Sequence, residues 1–305
     1  MIHTPMLDLG RYLQAEGYEF VTITPTSHAR VLKRERTART ARDVLGWNRA
    51  FELDAITRRL ADLMEAADIL EVEGGLHRSQ VRFSTLGGLL FAHSSFPTQA
   101  GDAVFFGPDT YRFSALLERS AGEPRRVVDI GCGSGAGGLV VASRSGCSVV
   151  LADINPQALA FARINAALAN VEADVVESDV LAGVRDDGDL IIANPPYLID
   201  EAKRTYRDGA GVYGTELSIR IARESIERLR RAPGGGRLIL YSGAAIVDGE
   251  DQLLAGLRPL LTDAWITESE YAEIDPDVFG EELDGDAYQE VERIAAVSLV
   301  VDVTG

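Results

Sequence analysis

Cysteine is nearly absent from this 305-residue chain, which carries only Cys132 and Cys147. One pair cannot build a disulfide framework, and its spacing is not that of a zinc site. Histidine is scarce too. His3, His28, His77 and His93 are scattered, so each reads as a core or surface residue and no metal centre is expected. No run approaches the ~20 consecutive apolar residues needed to span a bilayer. The opening "MIHTPMLDLGRY" lacks the basic-then-apolar order of a secretory signal. A cytoplasmic protein without a membrane partner is expected. A basic excess is also missing, since the net charge is −17. Of 30 Lys+Arg and 47 Asp+Glu, 16 and 16 fall at or before Arg126, which leaves 14 and 31 beyond it. A surface that acidic repels a phosphate backbone, which disfavours nucleic acid as a partner without excluding a local contact.

One basic run is present, "RVLKRERTARTAR" at 30–42, with Arg30, Lys33, Arg34, Arg36, Arg39 and Arg42. It reads first as a solvated helix or loop face, and second as a docking patch for an acidic or RNA-bearing partner. The length and the 46% hydrophobic content suit one large domain and one smaller one. The first, residues 1–100, is expected to be a small α+β substrate-recognition domain, wing-like in outline. The apolar spacing of Met6, Leu9 and Leu13 predicts a helix over 4–17, and a second helix is expected over 53–67. Short strands are expected around Gly74-Gly75 and Gly87-Gly88.

Residues 101–305 follow a different pattern, with a connector at 101–108, a helix at 109–120 and then strands alternating with helices from "RVVDI" onward. That alternation predicts a doubly wound α/β domain with a mostly parallel, seven-stranded sheet covered on both faces. The strand 293–303 is expected to close it. The stretch 268–292, with 11 Asp/Glu and no Lys/Arg, reads as a solvated loop. Its "DPDVFG" is rejected as a calcium loop, because Phe279 stands where an oxygen ligand is required.

Three acids follow three successive strands. "VVDIGCGSG" places Asp129, Gly131, Cys132, Gly133 and Gly135 where a strand turns into a helix. Glycines there permit a tight turn and close backbone approach to a nucleotide-type ligand. Asp153 and Ile154 end the next strand, and an acid at that point can accept both ribose hydroxyls. Asp179 and Val180 follow the third, where a carboxylate can receive an adenine amino group. An acid beside the turn disfavours a phosphate dianion and suits a cationic ligand, which favours S-adenosylmethionine over a dinucleotide.

The fourth strand ends in "NPPY", Asn194, Pro195, Pro196 and Tyr197. Proline cannot continue a sheet ladder, so the strand stops there, and two prolines hold an amide and a ring in fixed relation. An amide or exocyclic amine nitrogen is a weak nucleophile, because its lone pair is delocalised. The Asn194 oxygen and the Pro195 carbonyl can accept its hydrogens and localise that pair, while Tyr197 stacks on the planar group. Arg204, Tyr206 and Arg207 follow as ordinary loop residues or a substrate rim. The rival to catalysis is a nucleotide-binding scaffold, against which intact Asp129, Asp153, Asn194 and Tyr197 argue.

In the order "DIGCGSG", "LADINPQAL", "SDVL", "NPPYLI", residues 104–303 resemble the class I S-adenosylmethionine-dependent methyltransferases of the N-P-P-Y type, especially the HemK-like protein-glutamine N5 methyltransferases. The resemblance implies S-adenosylmethionine as cofactor. It implies Asp129, Gly131, Gly133 and Gly135 at the methionine part, Asp153 at the ribose and Asp179 at the adenine. It also implies a protein substrate, a translation release factor in that family. The chain reads "GPDTYR" where the family has "PRPETE". The N-P-P-[YF] motif also serves adenine N6 and guanine N2 methyltransferases, so it identifies a planar nitrogen acceptor, and RNA, DNA and small-molecule acceptors stay open.

Overall fold

A threonine followed by proline starts both of the first helices. A computed structural model of the protein describes every residue except 1–3, 35–36, 99, 186, 201–203 and 205, so His3 and Arg36 lie outside the described residues. In α1 (Pro5–Ala15) the Thr4 hydroxyl accepts from the Leu7 N–H, and in α2 (Pro25–Leu32) Thr24 accepts from Ser27. Both satisfy donors that a helix start leaves open. Helix α3 (Arg58–Ala66) begins later than the pattern predicts. Thr57 takes the cap position, so Ile56 is extended and Leu53–Ala55 forms a separate 3-10 turn. Two hairpins follow, β1 (Leu70–Glu73) with β2 (Leu76–Ser79), and β3 (Val81–Leu86) with β4 (Leu89–Ser94). They turn at the expected glycine pairs, all four with positive φ. The basic run is not one face. Its start lies on α2, while the Arg42 guanidinium lies over the Phe20 ring at 5.9 Å.

The rest alternates as the sequence predicts: α4 (Pro108–Ser120), β5 (Arg126–Ile130), α5 (Ala136–Ser145), β6 (Ser148–Asp153), α6 (Pro156–Ala169), β7 (Ala173–Glu177) and β8 (Leu190–Ala193). Then come α7 (Glu216–Arg231), β9 (Gly236–Val247), β10 (Glu250–Asp251), α8 (Gln252–Leu257), β11 (Ile266–Asp275) and β12 (Arg293–Val303). Among the described residues the sheet runs β11-β12-β9-β8-β5-β6-β7, with β10 a two-residue hairpin on β9. Strands β7, β6, β5, β8 and β9 are parallel; β12 and β11 are antiparallel.

Two expectations change here. β12 does not close the sheet, because it lies between β9 and β11. The acidic stretch is not all loop, because its first part, through Asp275, is edge strand β11 paired to β12. Exposed Glu268, Glu270 and Glu273 on that edge oppose pairing with another chain.

Strand alternation sorts the core. Val127, Ile192 and Ile239 pack on one face of the sheet, and Val128, Ile191 and Leu238 on the other. A third cluster joins Leu9, Leu13, Met64 and Phe83 to Phe161 and Leu168 of α6, so the N-terminal elements share a core with the sheet's helices. Asn165 of α6, fully buried, strengthens that junction. Its side chain accepts from Ala92 N at 2.7 Å and donates to Ala92 O at 3.0 Å and to Ser134 O at 2.9 Å. The order of strands reverses between the parallel neighbours β5 and β8, and ligand crevices form beyond the strand ends at such a point.

Candidate active site

The turn after β5 needs its glycines for conformation. Gly131, Gly133 and Gly135 have φ of 63°, 54° and 78°, a region that L side chains rarely adopt. Cys132 between them is buried, with its N–H bound to Ala152 O at 3.0 Å. Below the turn, Asp129 Oδ2 accepts from Gly138 N at 2.8 Å and so fastens the first turn of α5. Burial lifts the Asp129 carboxyl to about 7, against the Gly138 N–H that lowers it and with neighbouring Asp153 adding to the rise. Asp153 accepts from Gly133 N and Asn155 N, each at 2.8 Å. Burial raises its pKa as well, with those donors opposing.

Asp129, Gly131, Cys132, Gly133 and Asp153 line a cavity of about 520 Å³ at the ends of β5, β6, β7 and β8, whereas Gly135 faces Leu139, Leu151 and Ala162 and does not line it. Ile154 leaves 56% of its surface exposed at the rim, an uncovered apolar platform. Val180 is buried on the wall with φ 52°. Asp179 also borders the cavity. Both its oxygens receive Arg220 Nη groups, at 2.8 and 3.0 Å, in an ion pair that stays about half exposed. Arg220 is held in place by Glu224 at 2.7 Å.

Strand β8 stops at Ala193, and Asn194, Pro195, Pro196 and Tyr197 continue along the cavity wall. Among the described residues neither the Asn194 side chain nor the Pro195 carbonyl has a hydrogen-bond partner. Tyr197, by contrast, is fixed. Its hydroxyl donates to Asp109 Oδ2 at 2.6 Å, and the Phe279 ring meets it edge-on at 5.9 Å. A methyl added at Gly243 of β9 would lie 2.1 Å from its ring, so only glycine admits it there.

Sequence patterns alone miss Asp109, Tyr241 and Gly243. The only signal was the "GPDTYR" segment itself. Arg204, Tyr206 and Arg207 line the same cavity. Tyr206 donates to Thr98 O at 2.7 Å, while Arg204 and Arg207 both pair with Asp200, and Arg207 also with Glu282. The loop after N-P-P-Y is thereby tied to the N-terminal part and to the acidic segment. Among the described residues, no group of three or more His, Cys, Asp or Glu could hold a metal, and no helix is long and apolar enough to cross a membrane.

Residues 113–207 match the family model of the methyltransferase small domain. A release factor glutamine methyltransferase of Deinococcus radiodurans is 33% identical over 172 residues, 55% of this chain and 59% of that protein, so the match spans under two thirds of its length. A Methanocaldococcus jannaschii protein named for N5-glutamine methyltransferase activity is 35% identical over 140 residues, 44% of this chain and 68% of that protein. In fold the chain is similar to the crystal structure of Trm5b from Pyrococcus abyssi. The TM-score is 0.50 and the identity 16%, over 83% of this chain and 69% of that one.

Proposed function

Since this chain belongs to the HemK-like family of S-adenosylmethionine-dependent methyltransferases, we propose that it methylates a planar amide nitrogen, that of a glutamine side chain in a protein of the release-factor type. The unpartnered Asn194 amide and Pro195 carbonyl on the cavity wall carry this assignment. Asn194 is half-buried and lines the cavity, so its amide oxygen and the Pro195 carbonyl face space that a ligand with N–H groups to donate can enter.

The cavity suits the cofactor in volume and chemistry. Its size falls in the ~300–1,000 Å³ range of small-molecule sites, and two carboxyls sit beside a glycine turn and an exposed apolar Ile154. Gly131, Cys132 and Gly133 would hold the methionine part, with Asp129 behind them. Asp153 takes the ribose, and Ile154 and Val180 flank the adenine. When bound, S-adenosylmethionine supplies an electrophilic methyl group. The protein orients the acceptor. Asn194 Oδ1 and the Pro195 carbonyl oxygen accept the two amide hydrogens, which turns the nitrogen lone pair into the cavity and localises it. Pro196 keeps Tyr197 in register with Asn194, and the Tyr197 ring edge borders the acceptor plane. These fixed dipoles meet the positive charge that develops on nitrogen, and the acidic N-alkylated amide then releases one hydrogen as a proton to water, so no strong base is required. Residues 1–100 present the substrate.

Asn194→Ala tests the assignment. Calorimetry should show S-adenosylmethionine, but not NADH, binding both wild type and variant. Methyl transfer by the variant should fall by ~10²–10³-fold, the usual effect of removing one preorganised partner of the developing charge. Transfer unchanged in the variant would overturn the role given to Asn194.

A further inference from the structure

We infer that Asp109 is a positioning residue of this site, holding the Tyr197 ring and through it the whole N-P-P-Y segment; the inference rests on the assignment above. Asp109 is the second residue of α4 and only 5% exposed. Its carboxylate receives three donors: the Tyr197 hydroxyl at 2.6 Å, the Tyr241 hydroxyl at 2.9 Å and Arg112 Nη1 at 3.1 Å. Arg112 continues to Asp275 at the end of β11, at 2.7 Å. One buried anion therefore joins α4, the loop after β8, β9 and β11.

Nothing in the stability of a core asks for this arrangement. A buried ionic cluster often contributes no more than well-packed apolar residues of the same volume. What it does supply is direction. The bond from Asp109 fixes the rotation of the Tyr197 ring, Gly243 lies beneath that ring, and Phe279 closes its edge. Pro195 and Pro196 leave little freedom between Tyr197 and Asn194. A tilt of the ring is therefore transmitted to the amide that meets the acceptor. Asp109, Thr110 and Phe113 of α4 line the same cavity, so the anchor stands on the wall that it orients.

Two substitutions remove the same bond from opposite ends, Asp109→Asn and Tyr197→Phe. Each should lower kcat by ~10–100-fold, as a misplacement of about 1 Å does, with the dissociation constant for S-adenosylmethionine and the KM for acceptor little changed. Because both act through one contact, the double variant should be no slower than the slower single one. Tyr241→Phe takes the other hydroxyl from the same carboxylate and should cost roughly fivefold less in kcat at an equal loss of thermal stability. Additive losses, or equal kcat effects of Tyr241→Phe and Tyr197→Phe, would reduce Asp109 to a structural residue. A readout independent of turnover is the 19F spectrum of protein carrying 3-fluorotyrosine, with the Tyr197 line assigned by its loss in Tyr197→Phe. That line should shift in Asp109→Asn. A line that stays in place overturns the role of Asp109 whatever the enzyme does. A wild type that methylates no glutamine overturns the proposed function while leaving the spectral result intact. If Asp109→Asn fails to fold, Tyr197→Phe alone carries the kcat and KM comparison with Tyr241→Phe.

Discussion

Asp129 keeps a proton that the unfolded chain would release. Burial moves its carboxyl from an ordinary 3.8 to about 7 in the folded protein. The native state thus binds more protons than the unfolded state between about pH 4 and pH 7. The stability this contributes is complete below about pH 4 and is lost as pH rises through about 7, with a slope of at most ~1.4 kcal/mol per pH unit. Asp129→Asn should therefore gain stability relative to wild type as pH rises from 4 to 8 in urea denaturation. A pH-independent difference would contradict the burial. Binding of S-adenosylmethionine should tighten over the same window, since a cation near the carboxyl favours its ionised form. At this scale the glycine turn and N-P-P-Y were legible because each is local, a handful of consecutive residues whose backbone demands are visible in the letters. Asp109 with Tyr241 was not, being 132 residues apart, and neither was the Arg220 that engages Asp179 from 41 residues away. Such partners meet only after β9 and α7 are docked.

The elements meet at α6, and Asn165 is where that meeting depends on one side chain. It satisfies both backbone groups of Ala92 on β4 and the carbonyl of Ser134 in the glycine turn. Asn165→Leu leaves three buried polar groups without a partner, each worth ~1–3 kcal/mol when orphaned. The variant should lose at least ~3 kcal/mol of stability in urea denaturation, and its affinity for S-adenosylmethionine should fall as the turn loosens. A loss below ~0.5 kcal/mol would show that the junction does not depend on it. The strands from β5 to β9 were readable from their apolar runs, because parallel strands buried on both faces carry little else. A strand is expected around "AWITES" at 264–269, but the continuation of edge strand β11 to Asp275 was hidden by its glutamates. A strand with one face and one edge in water has no need of an apolar run, so its charge imitates a loop. Thr57 shows the same limit for helices: periodicity suggested an earlier start, and a single capping hydroxyl decided the boundary.

For the whole molecule, the charge of −17 is concentrated after Arg126 and reaches the cavity mouth in Glu281 and Glu282. A charge of that sign opposes long-range attraction to a polyanion. In a gel-shift titration at physiological salt, total RNA should not be retained at micromolar protein; retention that weakens steeply with salt would favour a nucleic-acid acceptor. The acceptor itself was the least legible feature. The cavity mouth is assembled from the N-terminal part, the loop of Arg204, Tyr206 and Arg207, and the acidic segment, none of which is a sequence motif. The most direct test of glutamine methylation is to incubate the protein with methyl-labelled S-adenosylmethionine and an intact release factor, then locate the label by peptide mass spectrometry. One glutamine carrying a single methyl on its side-chain nitrogen is the predicted result, lost in Asn194→Ala. Label confined to RNA, or no transfer despite cofactor binding, would contradict it.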